Sequence, residues 1–189
     1  MAKVTLENLN KIFVSKIGKD VKAVNDFNLL LEDGEILALL GSSGCGKTTT
    51  LRMIAGFETA TSGQIKIGER IVNDLKPADR NVAMAFEGYA LYPPLTVKDN
   101  IAFSLMREKI SKDKVDSKVM EVAELLEITD ILERYPPSIS GGQQQRVSLA
   151  RALVRDSDAL LLDEPMSQLE PQLRACLLYT SPSPRDGTK

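Results

Sequence analysis

The chain has 189 residues, of which 43% are hydrophobic and 26% are charged, and its net charge is −2. This composition is typical of a globular domain and excludes an intrinsically disordered chain, while the small net charge excludes an overall basic surface for nucleic acid or anionic lipid. The sequence has no histidine, and its two cysteines, Cys45 and Cys176, are far apart. It also has no apolar run long enough to span a membrane. We therefore expect a soluble, cytosolic protein that performs no histidine chemistry.

The first half of the chain is rich in predicted strands. Short apolar runs bounded by turn residues predict strands over 4–9, within 26–35 up to a turn at Asp33-Gly34, and over 35–40, 63–68 and 81–86. The run 35–40 is continuous and apolar, as in a strand that is buried on both faces. It leads into a glycine-rich loop and then into a predicted helix that ends at Gly56.

Residues 96–154 have the pattern of helices. Thr96 and Ser111 stand at cap positions, and Ser140 with two glycines opens another amphipathic run. Apolar residues recur at helical spacing at Val115, Val119, Val122 and Leu126. A second apolar strand is predicted over 159–163. Strand-rich ends around a helix-rich middle predict an α/β fold with a helical insertion.

The loop 41–48 reads GSSGCGKT and fits the phosphate-binding pattern G-x-x-x-x-G-K-[ST], between a predicted strand and a predicted helix. Glycines let the backbone aim its N–H groups at phosphate oxygens, and the following helix adds its positive end. Lys47 is expected to contact the β- and γ-phosphates, and the Thr48 hydroxyl to bind Mg²⁺. The predicted nucleotide-binding residues of this loop are Gly41, Ser42, Ser43, Gly44, Cys45, Gly46, Lys47, Thr48 and Thr49. The alternative is a glycine-rich turn with an incidental Lys-Thr.

The run ALLLDEP at 159–165 is an apolar strand that ends in two carboxylates. Phosphoryl transfer needs a metal ligand on a strand near the phosphate loop, so Asp163 is predicted to hold Mg²⁺. Glu164 is predicted to polarise the attacking water, which makes Glu164 and Lys47 the expected catalytic residues. The alternative is a pair of acids that caps a surface strand.

The run SISGGQQQR at 138–146 predicts a second anion site. Glycines at a helix start expose backbone N–H groups, and a serine adds a hydroxyl. The residues predicted to form this site are Ser140, Gly141, Gly142 and Gln143. A second anion site is unexpected in a chain whose phosphate loop already binds the phosphates.

With GSSGCGKT, SGGQQQR and LLLDEP in this order and spacing, residues 1 to about 175 resemble the ATP-binding-cassette (ABC) ATPases. The resemblance implies a P-loop NTPase (RecA-like) core over 1–88 and 155–175, with an antiparallel β part at the N-terminus and a helical subdomain inserted at 89–154. It also implies a head-to-tail dimer with a second ABC ATPase subunit, in which one phosphate loop and the partner's signature run close over ATP. Phe13 matches the aromatic residue that stacks on adenine; the alternative is a core phenylalanine.

Residues 79–103 and 140–175 look like the ATPase subunits of bacterial carbohydrate importers of the maltose and glycerol-phosphate type. The likeness implies a transmembrane permease that inserts a short helix near 89–93, an external solute-binding protein, and a location on the cytoplasmic face of the inner membrane. It implies no nucleic-acid partner. The alternatives are a soluble ABC ATPase without a permease and a non-hydrolytic nucleotide-binding fragment.

The sequence departs from the family pattern at Glu87 and towards its end. Where the family usually has glutamine, Glu87 is expected to bind Mg²⁺ as a harder ligand and to alter coupling to the permease. The chain ends before a strand and histidine that the family carries, so we expect it to fold poorly and to hydrolyse ATP slowly or not at all. Residues 176–186 match one reading frame of a transposase adapter used in sequencing libraries, so 176–189 is expected to be an adapter-derived tail. The alternative is a natural Ser/Pro-rich tail.

Overall fold

The computed structural model of the protein describes residues 1–15, 18–86, 90–106 and 110–163. The described chain divides into two compact units. One comprises 1–82 with 157–161, and the other comprises 83–156 with 162–163.

The first unit contains a four-stranded antiparallel sheet. Its strands are β1 (Val4–Phe13), β2 (Val21–Leu31), β3 (Ser62–Ile67) and β4 (Arg70–Ile71), in the order β2-β1-β3-β4. Apolar side chains of β1 and β3 alternate into the core, and those that are buried are Val4, Leu6, Leu9, Ile65 and Ile67. The strands predicted over 4–9, within 26–35 and over 63–68 are confirmed, as is the antiparallel β part at the N-terminus.

The helix α1 (Lys47–Ala55) follows the phosphate loop and ends, as predicted, at Gly56. Gly56 adopts the left-handed conformation with a φ of 84°, and its N–H donates to the Met53 carbonyl at 3.2 Å. Buried Met53, Ile54 and Ala55 face the interior of the unit. The apolar face and the glycine terminator therefore specify this helix together.

Residues 36–40 form no strand, and the predicted strand at 35–40 is wrong for the described residues. The Asp33-Gly34 turn that precedes them is present, with a hydrogen bond from Glu35 N to Glu32 O at 3.2 Å. Ile36 and Leu37 are 53% and 45% exposed, and Leu40 is 91% exposed. An extended segment becomes a strand only when a neighbour pairs with its backbone, and no described residue pairs with this one.

The second unit is mainly helical, and the predicted bounds of a helical subdomain at 89–154 stay a prediction. Its helices are α2 (Val97–Phe103), α3 (Lys112–Leu125) and α4 (Gly141–Leu153), and short 3-10 turns at Thr129–Ile131 and Pro136–Ser138 join the last two. Thr96 caps α2 by accepting a hydrogen bond from Asp99 N at 3.1 Å, whereas Ser111 precedes α3 without a side-chain cap. Within the described ranges, no helix is long and apolar enough to cross a membrane.

Strands β5 (Val82–Ala85) and β6 (Ala159–Leu162) form a two-stranded sheet. Asp158 N donates to Asn81 O at 2.9 Å and Asp163 N donates to Ala85 O at 3.0 Å, so the two strands run in the same direction. The strands predicted over 81–86 and 159–163 are confirmed. With the antiparallel sheet and the helices, they make the α/β class that the sequence predicted.

Candidate nucleotide-binding elements

Gly46 fixes the geometry of the phosphate loop where it enters α1. Its φ is 95°, and a Cβ at this position would lie 2.2 Å from the Ala23 carbonyl oxygen, so only glycine fits. The Gly46 carbonyl accepts two hydrogen bonds from Thr50, one from the backbone N–H at 2.8 Å and one from the hydroxyl at 2.9 Å. The loop therefore packs closely against β2 and is hydrogen-bonded to the first turn of the helix.

The start of α1 presents unused hydrogen-bond donors. Within the part of the chain that the structure describes, the backbone N–H groups of Gly44, Gly46 and Lys47 have no acceptor. The helix has no side-chain cap and no acidic residue in its first turn. Gly44 has a φ of 81°, and a Cβ there would meet nothing within 4 Å. Free donors at the positive end of a helix, beside open space, fit a bound phosphate chain.

Lys47 lies folded over this loop. Its ammonium donates to the carbonyl oxygens of Gly41 at 2.8 Å and Ser42 at 2.9 Å, and it lies 3.7 Å from the exposed thiol of Cys45. The positive charge of Lys47 therefore already lies at the loop, where the ammonium is hydrogen-bonded to uncharged carbonyl groups. Phosphate oxygens are stronger acceptors for an ammonium than carbonyls are, so an anionic ligand would draw Lys47 away from them.

Phe13 lies at the end of β1 and is 40% exposed, which does not fit the alternative of a core phenylalanine. The Lys11 ammonium lies 4.8 Å from the centre of its ring. One side of the ring is thus in contact with a cation of the same strand, and the ring keeps a substantial exposed area. The stacking of Phe13 on adenine stays a prediction.

The signature run begins α4 with a capping box. The Ser140 hydroxyl oxygen accepts from Gln143 N at 3.2 Å, and the Gln143 side chain accepts from Ser140 N at 2.9 Å. Gln143 thus serves the cap, a role that the spacing S-x-x-Q could have revealed. The N–H groups of Gly141 and Gly142 find no acceptor among the described residues, and a Cβ on Gly142 would meet nothing within 4 Å. These two donors, and the Ser140 O–H proton, remain available to an anion.

Asp163 directly follows β6 and is only 8% exposed. Glu87, the other predicted Mg²⁺ ligand, and Glu164, predicted to act on the attacking water, lie outside the described residues. The predicted tail at 176–189 lies outside them as well. No group of three or more acidic or cysteine side chains that could hold a metal occurs in the described ranges. A Mg²⁺ ion held by few protein ligands is normal, because this ion usually keeps several waters and is bound mainly by substrate phosphates.

Two residues that the sequence gave no reason to single out hold the segment 90–96. Asn100 is fully buried, accepts from Tyr92 N at 2.8 Å, and donates to three carbonyls of the segment at 2.9 to 3.1 Å. Arg151 of α4 donates to the Ala90 carbonyl and lies 5.0 Å from the centre of the Tyr92 ring. Burial lowers the pKa of the Arg151 guanidinium, and contact with Tyr92 opposes that effect. The segment includes the described part of the predicted permease contact at 89–93.

The phosphate loop, the signature run and the buried aspartate after an apolar strand together define a nucleotide-binding cassette. The sequence profile of the family described as ABC transporter matches residues 24–167. The chain belongs to this family.

Curated relatives with importer names match most of the chain. It is 48% identical over 174 residues to the sn-glycerol-3-phosphate import ATP-binding protein UgpC of Ruegeria pomeroyi, with 92% of the chain and 48% of the relative covered. It is 50% identical over 180 residues to the trehalose/maltose import ATP-binding protein MalK of Thermococcus litoralis, with 92% and 47% covered. The chain spans about half the length of the curated relatives it matches.

The fold matches that of solved cassettes. A dimeric, post-hydrolysis structure of the ATP-binding cassette MJ0796 bound to ADP and Pi has a TM-score of 0.83 and 28% identity, with 93% of this chain and 79% of that chain covered. A second dimeric structure of MJ0796, described as a bacterial ABC transporter cassette, has a TM-score of 0.84 and 27% identity over the same shares.

Proposed function

We propose that the chain is the ATP-binding and ATP-hydrolysing subunit of a membrane importer for a carbohydrate or a related solute. The observation that carries nucleotide binding is the start of α1. There the N–H groups of Gly44, Gly46 and Lys47 have no acceptor among the described residues, and Gly46 approaches the Ala23 carbonyl too closely for any other residue. The importer role is supported by two relatives named as import ATP-binding proteins, which are 48% and 50% identical to the chain.

The residues of the chain divide the work of phosphoryl transfer among binding, orientation and proton handling. The N–H groups of Gly44, Gly46 and Lys47 bind phosphate oxygens, and the Lys47 ammonium moves from its carbonyl acceptors to the β- and γ-phosphates. Thr48 and Asp163, with Glu87, would hold Mg²⁺, which supplies neutralisation of the phosphate charge. Glu164 orients the attacking water and accepts its proton. Phe13 stacks on the adenine ring.

The second anion site has a use in a head-to-tail dimer. Gly141, Gly142 and Ser140 of one copy would donate to the γ-phosphate that the other copy holds, so that ATP joins the two copies. The dimeric state of the solved cassettes that match this fold supports the arrangement. ATP binding by one copy alone would then be productive only after closure of the dimer.

A transmembrane permease and an external solute-binding protein complete the proposed importer, with this subunit at the cytoplasmic face of the membrane. The segment held by Asn100 and Arg151 contains the described part of the permease contact. ATP closure of the dimer would reach the permease through this segment. The solute is selected by the permease and the binding protein, outside this chain.

The direct test is ATP binding and hydrolysis by the full-length protein, purified together with its permease. We expect Mg²⁺-dependent hydrolysis that falls by at least about a hundredfold in Lys47→Ala and Glu164→Gln, since each removes a group that acts on the reacting phosphate or water. Glu164→Gln should still bind ATP, because Glu164 is proposed to act on the attacking water and not to bind the nucleotide. Arg70→Met, which changes a surface cation away from these motifs, is the control. Equal activity in all variants would refute the proposed site, and failure to co-purify with any permease would refute the importer role.

A further inference from the structure

The strongest unassigned feature is a buried lysine behind the exposed aromatic ring of β1. Lys11 is 8% exposed, and its ammonium donates to the Glu58 carboxylate at 2.7 Å and to the Thr59 carbonyl at 2.8 Å. The same ammonium lies 4.8 Å from the centre of the Phe13 ring. Residues two apart on a strand point to the same side of the sheet, which explains the contact between the lysine and the ring.

The lysine is fixed by the segment that follows the C-terminal end of α1. Glu58 follows α1, and its N–H donates to the Arg52 carbonyl in the last turn of that helix at 3.2 Å. The pKa of Glu58 is lowered, mainly by its hydrogen bond with Lys11, so the carboxylate is charged at neutral pH. A chain of contacts therefore runs from α1 through Glu58 and Lys11 to Phe13.

We propose that Lys11 is a positioning residue for the nucleobase: its ammonium holds the Phe13 ring from one side and leaves the exposed side to stack on adenine. This inference rests on the proposed function, because it assigns the adenine contact of that same site. Lys11 does not touch the nucleotide. It acts by restricting the ring to one orientation before the base arrives.

Two physical effects favour this role. A ring that is already fixed loses less conformational entropy when a base stacks on it, so the entropic cost of ordering the Phe13 side chain on binding is smaller. A cation on one face also withdraws electron density from the ring, which favours stacking of an electron-rich purine on the other face. A cation–π contact of this kind corresponds to an effect on affinity of about two- to fivefold.

The experiment compares a ligand that has a base with one that has none. Dissociation constants for ATP and for inorganic tripolyphosphate, both with Mg²⁺, are measured calorimetrically on the full protein and on Lys11→Met, Lys11→Arg and Phe13→Leu. Lys66→Met is the matched control. Lys66, like Lys11, pairs with a glutamate, Glu7 at 2.8 Å, but among the described residues it contacts no aromatic ring. The ratio of the two constants isolates recognition of the base from recognition of the phosphates.

We expect Lys11→Met to weaken ATP binding about two- to fivefold relative to tripolyphosphate, with no change of that ratio in Lys66→Met. Lys11→Arg should keep the ratio, since it keeps a cation under the ring. In the Phe13→Leu background, Lys11→Met should have no further effect on the ratio.

Each other outcome overturns the inference. If Lys11→Met weakens both ligands equally or neither, or if its effect persists without Phe13, the lysine is a structural residue only. Should the unmodified protein bind tripolyphosphate and ATP equally, base recognition is absent while phosphate binding stands. If the unmodified protein binds neither ligand, the proposed function itself fails. If Lys11→Met does not fold, Lys11→Gln takes its place, because it also removes the cation under the ring but keeps a polar side chain beside Glu58 and Thr59.

Discussion

Arg80 shows how a single buried cation can organise several backbone segments. It is only 3% exposed, and its guanidinium donates to the carbonyls of Met53 at 2.7 Å, Ile54 at 3.0 Å, Asn73 at 2.9 Å and Leu75 at 2.9 Å. Two of these carbonyls end α1, where a positive charge also complements the helix dipole. Burial lowers the pKa of Arg80, against an opposing effect of Asp74.

Arg80→Met should therefore destabilise the protein strongly. The change removes four hydrogen bonds to carbonyls in a largely buried environment, although the Met53 carbonyl keeps the Gly56 N–H as a donor. We expect a loss of about 3 kcal/mol or more in the free energy of unfolding. Urea denaturation measures it. Arg70→Met is the matched control, because Arg70 is exposed and its guanidinium makes one hydrogen bond within the described ranges, to Asp79 O; the change should cost less than about 0.5 kcal/mol. Similar losses in both variants would contradict the role given to Arg80.

The Glu58–Lys11 pair predicts a pH dependence of stability. Because the folded-state pKa of Glu58 lies below its ordinary value of 4.5, the carboxylate stabilises the fold above that value, and this contribution is lost as the pH falls through the folded-state pKa. Free energies of unfolding are measured between neutral pH and about pH 3, over the range where carboxyl groups titrate. Glu58→Gln should flatten the acid part of the curve. A parallel curve for the variant and the parent would show that the pair contributes nothing.

At the scale of elements, two helices of this chain begin in opposite ways. The start of α1 has no side-chain cap, whereas α4 begins with the reciprocal capping box of Ser140 and Gln143. An uncapped helix start has lower intrinsic stability but keeps its donors for a ligand. At the start of α4, the Gln143 N–H is used by the cap, while the N–H groups of Gly141 and Gly142 have no acceptor among the described residues and stay available to a ligand.

Ser140→Ala should cost stability as a cap substitution does. We expect a loss of about 1 kcal/mol, because Gln143 N loses its acceptor. Ser111→Ala is the control, since Ser111 precedes α3 at the same position without a side-chain hydrogen bond and should cost a few tenths of that amount. Thermal unfolding monitored by circular dichroism compares the two. A larger loss for Ser111→Ala would contradict the assignment of the cap.

The elements that the sequence predicts well are those set by local patterns. Alternation identified β1 and β3, helical spacing identified α3, and Gly56 identified the end of α1. The predicted strand over 35–40 is wrong, because an apolar run becomes a strand only by pairing with a neighbouring strand, and the run itself does not determine that neighbour. The contacts of Arg80 with Met53 join residues 27 apart, and no local pattern predicts such a pair.

At the scale of the whole molecule, ligand binding should raise stability by mass action. A ligand that binds only the folded state stabilises it by about 2.7 kcal/mol when its concentration is a hundred times its dissociation constant. We therefore expect Mg²⁺ with ATP to raise the unfolding temperature, measured by differential scanning calorimetry, and to do so much less in Lys47→Ala. An equal shift in both proteins would place the binding of ATP elsewhere than at the phosphate loop.

The exposed run 36–40 also affects how the isolated chain behaves at high concentration. Ile36, Leu37 and Leu40 present apolar side chains to solvent on a backbone that pairs with no described strand. Such a segment is a template on which the same segment of another molecule can add as a strand. Solutions of the chain should therefore scatter more light as the protein concentration rises, and a charged residue placed at Leu40 should keep the molecules apart.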